Sequence, residues 1–248
     1  MNILYLDCAM GAAGDMLMAA LLELLPDKDT FLRDMNALGL PGIEVTAEPS
    51  VKCGVTGTHV HVFVHGGEEG HEHHDHEHEH GHEHHHTGLH EIERRIGQLP
   101  VPEAVREDAW AVYRSIADAE SRVHGAPVDQ IHFHEVGTLD ALADVVGVCW
   151  LMHRLAPDAV YASPVHVGSG QVKCAHGILP VPAPATALLL EGIPCYGGAV
   201  RGELCTPTGA ALLKHFVTEF REMPVMRTSA IGYGMGKKDF ERANCVRV

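Results

Sequence analysis

Between residues 66 and 90 the chain reads GGEEGHEHHDHEHEHGHEHHHTGLH, eleven histidines in twenty-five residues. Imidazole binds borderline divalent metals, and the interleaved carboxylates raise its basicity and add oxygen donors. Residues 66–88 hold almost nothing apolar, so they build no core. They are expected to form a mobile loop with many weak, exchangeable metal sites. Its expected ligands are His71, His73, His74, His76, His78, His80, His82, His84, His85 and His86. Ligand softness does not select the ion, because Cu2+ outcompetes Ni2+ at imidazole and Zn2+ rivals it. The internal position and the mixture with acids argue against an expression tag. A solvated charged loop with no role is the other bland alternative.

A second group lies in IHFHEVGTLDALAD, residues 131–144. Strand alternation puts His132 and His134 on one face, with Glu135 opposite unless the strand has ended. Asp140 and Asp144 stand four apart on one face of the next helix, with Asp140 in its first turn. Two imidazoles and two carboxylates around one strand-to-helix turn suit a divalent metal. His132, Asp140 and Asp144 are therefore metal candidates, and His134 and Glu135 catalytic ones. The spacing matches no zinc signature, and a solvated strand edge beside dipole-compatible acids explains it equally well.

Two further stretches offer anion sites. KCAHGILPVPAPAT sets Cys174 and His176, the remaining catalytic candidate, on a loop stiffened by prolines. ELCTPTGAAL presents a helix start at Thr206, Thr208 and Gly209, where free N–H groups accept phosphate or carboxylate. A plain N-cap with Pro207 in the first turn is the commoner use of that pattern. GYGMGKK reads as a Gly-rich loop that places Lys237 near an anion. It is not a P-loop, since Lys237 is followed by Lys238. Asp7 and Asp15 flank CAMGAAG, either converging at a strand end, a usual ligand position in α/β folds, or serving as turn and cap.

Positioning these groups takes regular elements. NILYLDC reads as a buried strand, AMGAAG as a turn, and GDMLMAALLELL as a helix apolar nearly all round, hence a core element. GIEVTAEPSVKCGVTGTHVHVFVH alternates as an antiparallel pair turning between Pro49 and Gly57, with His59, His61 and His65 on one face. Val105, Ala109, Val112, Ile116 and Ala119 form one helical face, with Pro102 in the first turn and Gly125 as the stop. Thr138 is placed to cap a helix from Leu139. The prediction is an α/β fold, with mixed α+β as the alternative: a central sheet, flanking helices and a mobile His-rich loop. One domain over residues 1–248 is expected, with the insert at 66–88.

The chain has 248 residues, 46% of them hydrophobic but only 5% aromatic, so its core must be mostly aliphatic. A formal charge of −15 without a basic stripe excludes a nucleic-acid partner and suits cations. The longest apolar run, VVGVCWLM, is far short of the roughly 20 residues that span a bilayer. The opening residues carry no signal-peptide pattern, and seven scattered cysteines form no CxxC pair. No membrane association and a cytoplasmic location are expected.

GAAGDMLMAALL, HFHEVGTLDALADVVG, HGILPVPAPAT, ELCTPTGAALL and GYGMGKKDF occur in that order, with a His-rich insert after the hairpin. Together they resemble the family of nickel-insertion proteins that mature the nickel-pincer nucleotide of lactate racemase. The likeness covers nearly the whole chain. The family opening is more usually Ser-Gly-Ile-Ser-Gly-Asp-Met, and here Met10 and Ala13 replace its two hydroxyls. The resemblance implies a lyase-class cyclometallase that inserts Ni2+ into pyridinium-3,5-bisthiocarboxylic acid mononucleotide through one Ni–C and two Ni–S bonds. It implies CTP hydrolysis to CMP and pyrophosphate with Mn2+ or Mg2+. It also implies a C-terminal domain that takes part in the CTP step and begins where this chain stops, at Val248. The chain is thus expected to be the N-terminal half, working with a C-terminal half and as a homo-oligomer. His134 or His176 would take the ring proton, and the substrate phosphate would rest at Thr206–Gly209. The competing readings are a nickel or zinc buffer using the His loop alone, and a metallochaperone, although maturation GTPases of that kind carry a P-loop.

Overall fold

A computed structural model describes residues 1–68, 87–133, 138–174 and 177–248. The first strand, β1 (Ile3–Leu6), buries Leu4 and Leu6 and pairs in parallel with the strand Ala159–Ala162. Glu219–Phe220 joins that strand in parallel on its other side. Parallel neighbours need long crossovers, and helices supply them.

A second sheet is built on β2 (Ile43–Lys52) and β3 (Val55–Val64), paired antiparallel from Ile43↔Val64 to Lys52↔Val55. Cys53 and Gly54 both take positive φ and form the tight turn. Pro49, expected in the turn region, lies inside β2. That is tolerated because β2 is an edge strand, where a missing N–H removes no ladder bond. Beyond β3 the sheet continues through Tyr233–Met235 and Cys245–Arg247. The GYGMGKK stretch, read from sequence as a loop, is thus partly a strand. A Cβ on Gly234 would fall 1.8 Å from the Met16 carbonyl oxygen, so this glycine lets the strand lie directly on a helix backbone. The two sheets touch at an Asp7–Arg247 bridge, so the expected central sheet is divided into two open ones with short ladders around them.

The helices are α1 (Gly14–Leu22), α2 (Lys28–Asn36), α3 (Leu89–Gln98), α4 (Glu103–His124), α5 (Leu139–Leu155), α6 (Pro184–Leu189) and α7 (Pro207–Phe216). As its composition demands, α1 buries every residue except Asp15, packing between the second sheet and α5. The face predicted for α4 is buried throughout, with Tyr113 and Ala117 added, and the helix stops at Gly125 with φ 62. Pro102 stands at its N-cap, one place before the first turn. Pro184 and Pro207 open α6 and α7. Thr138 takes the N-cap position of α5, but its side chain makes no capping bond.

His59 and His61 do share a face, edge to face with ring centroids 4.3 Å apart, with Phe63 stacked on His61. His65 lies past the end of β3 with φ 51, so strand alternation no longer governs it. Gly67–Glu68 pairs with β3 and Thr87–Gly88 with His132–Phe133, so the chain is laddered on both sides of the His tract. The ten tract histidines lie outside the described residues. All seven cysteines are free, and among the described residues no helix is long and apolar enough to cross a membrane.

Candidate active site

Three helix starts meet at one place. The turn before α1 is stitched to the turn before α7: Ala12 N–H donates to the Leu204 carbonyl, and Thr206 N–H donates to the Ala12 carbonyl, both at 3.0 Å. Gly209 makes this contact possible, since a Cβ there would sit 2.1 Å from the Ala12 oxygen. Gly14 admits α5 in the same way, because its Cβ would come within 2.7 Å of the Asp144 side chain. The first turns of α1, α5 and α7 are thereby gathered, and each carries the positive end of its helix dipole.

Between them lies a cavity of about 250 Å³ lined by Asp15, Asp140, Asp144, Thr206, Thr208 and Lys237, with Val60 and Val62 of β3 as an apolar wall. Glu203 stands at its margin. Burial, then the charges of Asp15 and Asp140, push the Asp144 carboxyl well above the usual carboxylate range, against the pull of Lys237. Burial raises Asp15 as well, opposed first by His59 and then by the Met16 N–H, which donates to Asp15 Oδ1 at 2.8 Å. His59 is held in turn, its Nδ1–H donating to the Met235 carbonyl at 2.6 Å. Among the described residues, Asp140 Oδ1 and Asp144 Oδ1 are buried without a hydrogen-bond partner, and so is the Tyr113 hydroxyl. Burial, then Asp140 and Asp144, hold that phenol protonated well above its ordinary range. An arrangement of this kind is poorly satisfied by itself and favours an incoming cation, which would relieve both the repulsion and the missing partners.

Of the residues singled out from sequence, Asp140, Asp144, Thr206, Thr208 and Lys237 thus face one cavity. Gly209 stands behind it as the contact with Ala12, and its N–H donates to Thr206 Oγ1 at 3.2 Å as an N-cap bond. His134, Glu135 and His176 lie outside the described residues, and of His132 only the backbone is described, in the ladder with Gly88. Asp15 joins the cavity, whereas Asp7, paired with it in the sequence reading, bonds instead to Arg247 at 2.6 Å. Sequence reasoning missed Glu203, His59 and Tyr113. The signal for Tyr113 was present, as a hydroxyl on the buried face of α4. Among the described residues, no three His, Cys, Asp or Glu side chains form a ready metal-ion set. A larger groove of about 670 Å³ runs along Met1–Tyr5 and residues 225–231. It is lined by no His, Cys, Asp or Glu and shares no residue with the acidic cavity.

The fold and site together are those of an α/β protein with an acidic cavity, holding one lysine, at the junction of three helix starts, a lining whose chemistry suits a cation. Residues 4–248 match the family described as nickel insertion protein, and the chain belongs to that family. It is 42% identical over its whole length to the pyridinium-3,5-bisthiocarboxylic acid mononucleotide nickel insertion protein of Desulfitobacterium hafniense (strain DSM 10664 / DCB-2), covering 58% of that relative. The protein of the same description from Clostridium kluyveri is 42% identical over 249 residues, with 61% of it covered. A putative nickel insertion protein of Dictyoglomus thermophilum is 37% identical, with 60% covered. The chain therefore spans about three fifths of the length of these curated relatives. No solved structure matches it.

Proposed function

We propose that this chain handles nickel and inserts it into pyridinium-3,5-bisthiocarboxylic acid mononucleotide, the compound in its relatives' names. The observation that carries this reading is the cavity itself: three carboxylates, two of them with buried unpartnered oxygens, facing Lys237 and two threonines. The chemistry of the compound fits such a site. Its two thiocarboxylates flank the ring carbon between them, so an ion held by both sulfurs lies over that carbon and its hydrogen. The C–H electron pair becomes the Ni–C bond, the proton passes to a base, and nickel remains Ni2+ throughout. No oxidant or reductant is needed.

The residues divide this work. The His tract, from His71 to His86, collects Ni2+. His132, Asp140 and Asp144 receive it, exchanging protons for the ion, since carboxylates and imidazoles bind metal only when deprotonated. Thr206, Thr208 and Lys237, with Gly209 behind them, border the nucleotide on the side of its reacting ring. His134 or His176, with Glu135, takes the ring proton. In this reading the chain is one α/β domain with the insert at 66–88, in a cytoplasmic, homo-oligomeric cyclometallase of lyase class that matures the lactate racemase cofactor. CTP with Mn2+ or Mg2+ is assigned to a C-terminal half working with this chain, and no step here is routed through it.

The test is reconstitution with the nucleotide, NiCl2, CTP, Mg2+ and the C-terminal part of a relative, following the nickel-bound product by mass spectrometry. His134→Ala, His176→Ala and Asp144→Asn are each expected to lose product while the tract still binds nickel. Full product from all three would overturn the assignment and favour a buffer acting through the tract alone.

A further inference from the structure

A second cavity, of about 370 Å³, adjoins the acidic one and shares Glu203 and Pro207 with it. Much of its wall is apolar. Val172 and Leu179 face each other across the hairpin of strands Gln171–Cys174 and Gly177–Pro180, and Pro184 of α6 and Pro207 of α7 add rigid surfaces. Its charged groups are mixed, with two lysines against Glu120 and the shared Glu203, where the acidic cavity sets one lysine against its carboxylates. Lys173 and Lys238 line it, with the Glu120–His124 pair of α4 on another wall. The consecutive lysines 237 and 238 thus serve different compartments, Lys237 the acidic cavity and Lys238 the apolar one.

Size separates the two further. Pockets that bury a small organic ligand run from about 300 to 1,000 Å³. The second cavity falls within that range and the acidic one below it, at a volume suited to an ion and its immediate ligands. Apolar side chains pack against a ring, and lysines take phosphate as point charges.

We propose that the second cavity binds the mononucleotide, its phosphate toward Lys173 and Lys238 and its ring toward the Glu203–Pro207 wall, so that the metal ion reaches the ring from the acidic side. This rests on the nickel-insertion reading above and adds where the organic substrate sits. It places the phosphate away from the first turn of α7, where the Gly209 N–H is already bonded to Thr206. It also keeps the nucleotide's negative charges apart from Asp140 and Asp144.

The experiment is calorimetric titration of the metal-free chain with pyridinium-3,5-bisthiocarboxylic acid mononucleotide, and in parallel with its nucleoside lacking the phosphate. Lys173 and Lys238 are exposed, so a Lys173→Ala/Lys238→Ala variant keeps its fold, which circular dichroism checks. That variant is expected to bind the mononucleotide at least tenfold more weakly than the parent chain. It should bind the nucleoside as the parent chain does. An Asp140→Asn/Asp144→Asn variant should bind the mononucleotide as well as the parent or better. Unchanged mononucleotide affinity in the lysine variant, or loss in the carboxylate variant instead, overturns the cavity assignment and leaves nickel insertion standing. A parent chain that binds no mononucleotide overturns both.

Discussion

Glu91 in α3 and Asp140 in α5 begin alike, as acids in the first turn of a helix with a charged residue one turn on. Their neighbours make them opposites. Glu91 bonds Arg94 at 2.7 Å and Arg95 at 2.8 Å, and these hydrogen bonds draw its carboxyl down to about 2. Asp140 meets a second acid, Asp144, four residues on, and the fold adds Asp15 to them. Opposite charges at this spacing stabilise a helix by a few tenths of a kcal/mol, about 0.2–0.5, and like charges cost as much. The like pair stands in a buried site where the cost is larger. The α3 cluster is satisfied within the folded chain, whereas the α5 cluster carries a cost that protonation removes and that a bound cation would remove as well.

The largest expected effect sharpens this contrast. Asp144→Asn should cut nickel insertion at least 100-fold, measured as product formed, and yet raise stability. The Asp144 carboxyl is raised on folding, so its contribution is fully present below the ordinary carboxylate range and is lost as pH rises through the folded value. The variant should therefore melt with the parent at pH 4 and above it at pH 8. A relief of about 1 kcal/mol corresponds to roughly 2–4 °C at this chain length. A variant that melts lower at pH 8 would break the comparison.

Removing the tract comes next. The ladders at Gly67–Glu68 and Thr87–Gly88 argue for cutting between them, at residues 69–86. The deleted chain should bind several-fold less nickel per molecule by equilibrium dialysis while its circular dichroism is unchanged. In the parent, tract-bound nickel should leave as pH falls from roughly 7.5 to 5.5, as imidazole protonates around its ordinary value near 6.5. Unfolding of the deleted chain, or retention of all the metal at pH 5.5, would contradict this.

Glycine substitutions compare the two regions directly. Gly209→Ala drives a Cβ against the Ala12 carbonyl and should destabilise by about 1–3 kcal/mol, with a lower melting temperature and reduced nickel insertion. Gly97→Ala in α3 meets nothing within 4 Å and should be neutral or stabilising by up to about 1 kcal/mol. Equal melting temperatures for the two variants would remove the close approach from the argument. The smallest effect is Glu91→Gln. On so exposed a pair it should cost under about 1 kcal/mol near neutral pH. Its carboxyl is lowered on folding, so that contribution is present above the ordinary glutamate range and is lost as pH falls toward 2. Insertion activity should not change, and a drop comparable to that of Asp144→Asn would mean that surface pairing matters as much as the cavity.

Much of this was legible in order along the chain. The apolar α1, the buried face of α4, the β2–β3 hairpin and the Pro207 start of α7 follow from periodicity and caps, because those signals are local. The shared face of Asp140 and Asp144 is local as well, fixed by spacing along one segment. What the sequence left open were meetings between distant segments. Asp7 and Asp15 looked equivalent until the fold sent one to Arg247 and the other to the cavity. GYGMGKK read as a loop for an anion, yet Gly234 is there because a helix backbone lies against it. Gly14 and Gly209 likewise announce a close approach without naming what approaches, since the information lies in atoms they lack. The tertiary structure alone decided that three carboxylates from two helices would share a small cavity with Lys237. It alone decided that Glu203, the first residue of ELCTPTGAAL and given no role from sequence, would stand in the wall between two cavities. Periodicity fixes which face of a segment is buried, whereas the packing of segments far apart in the chain fixes which buried faces meet.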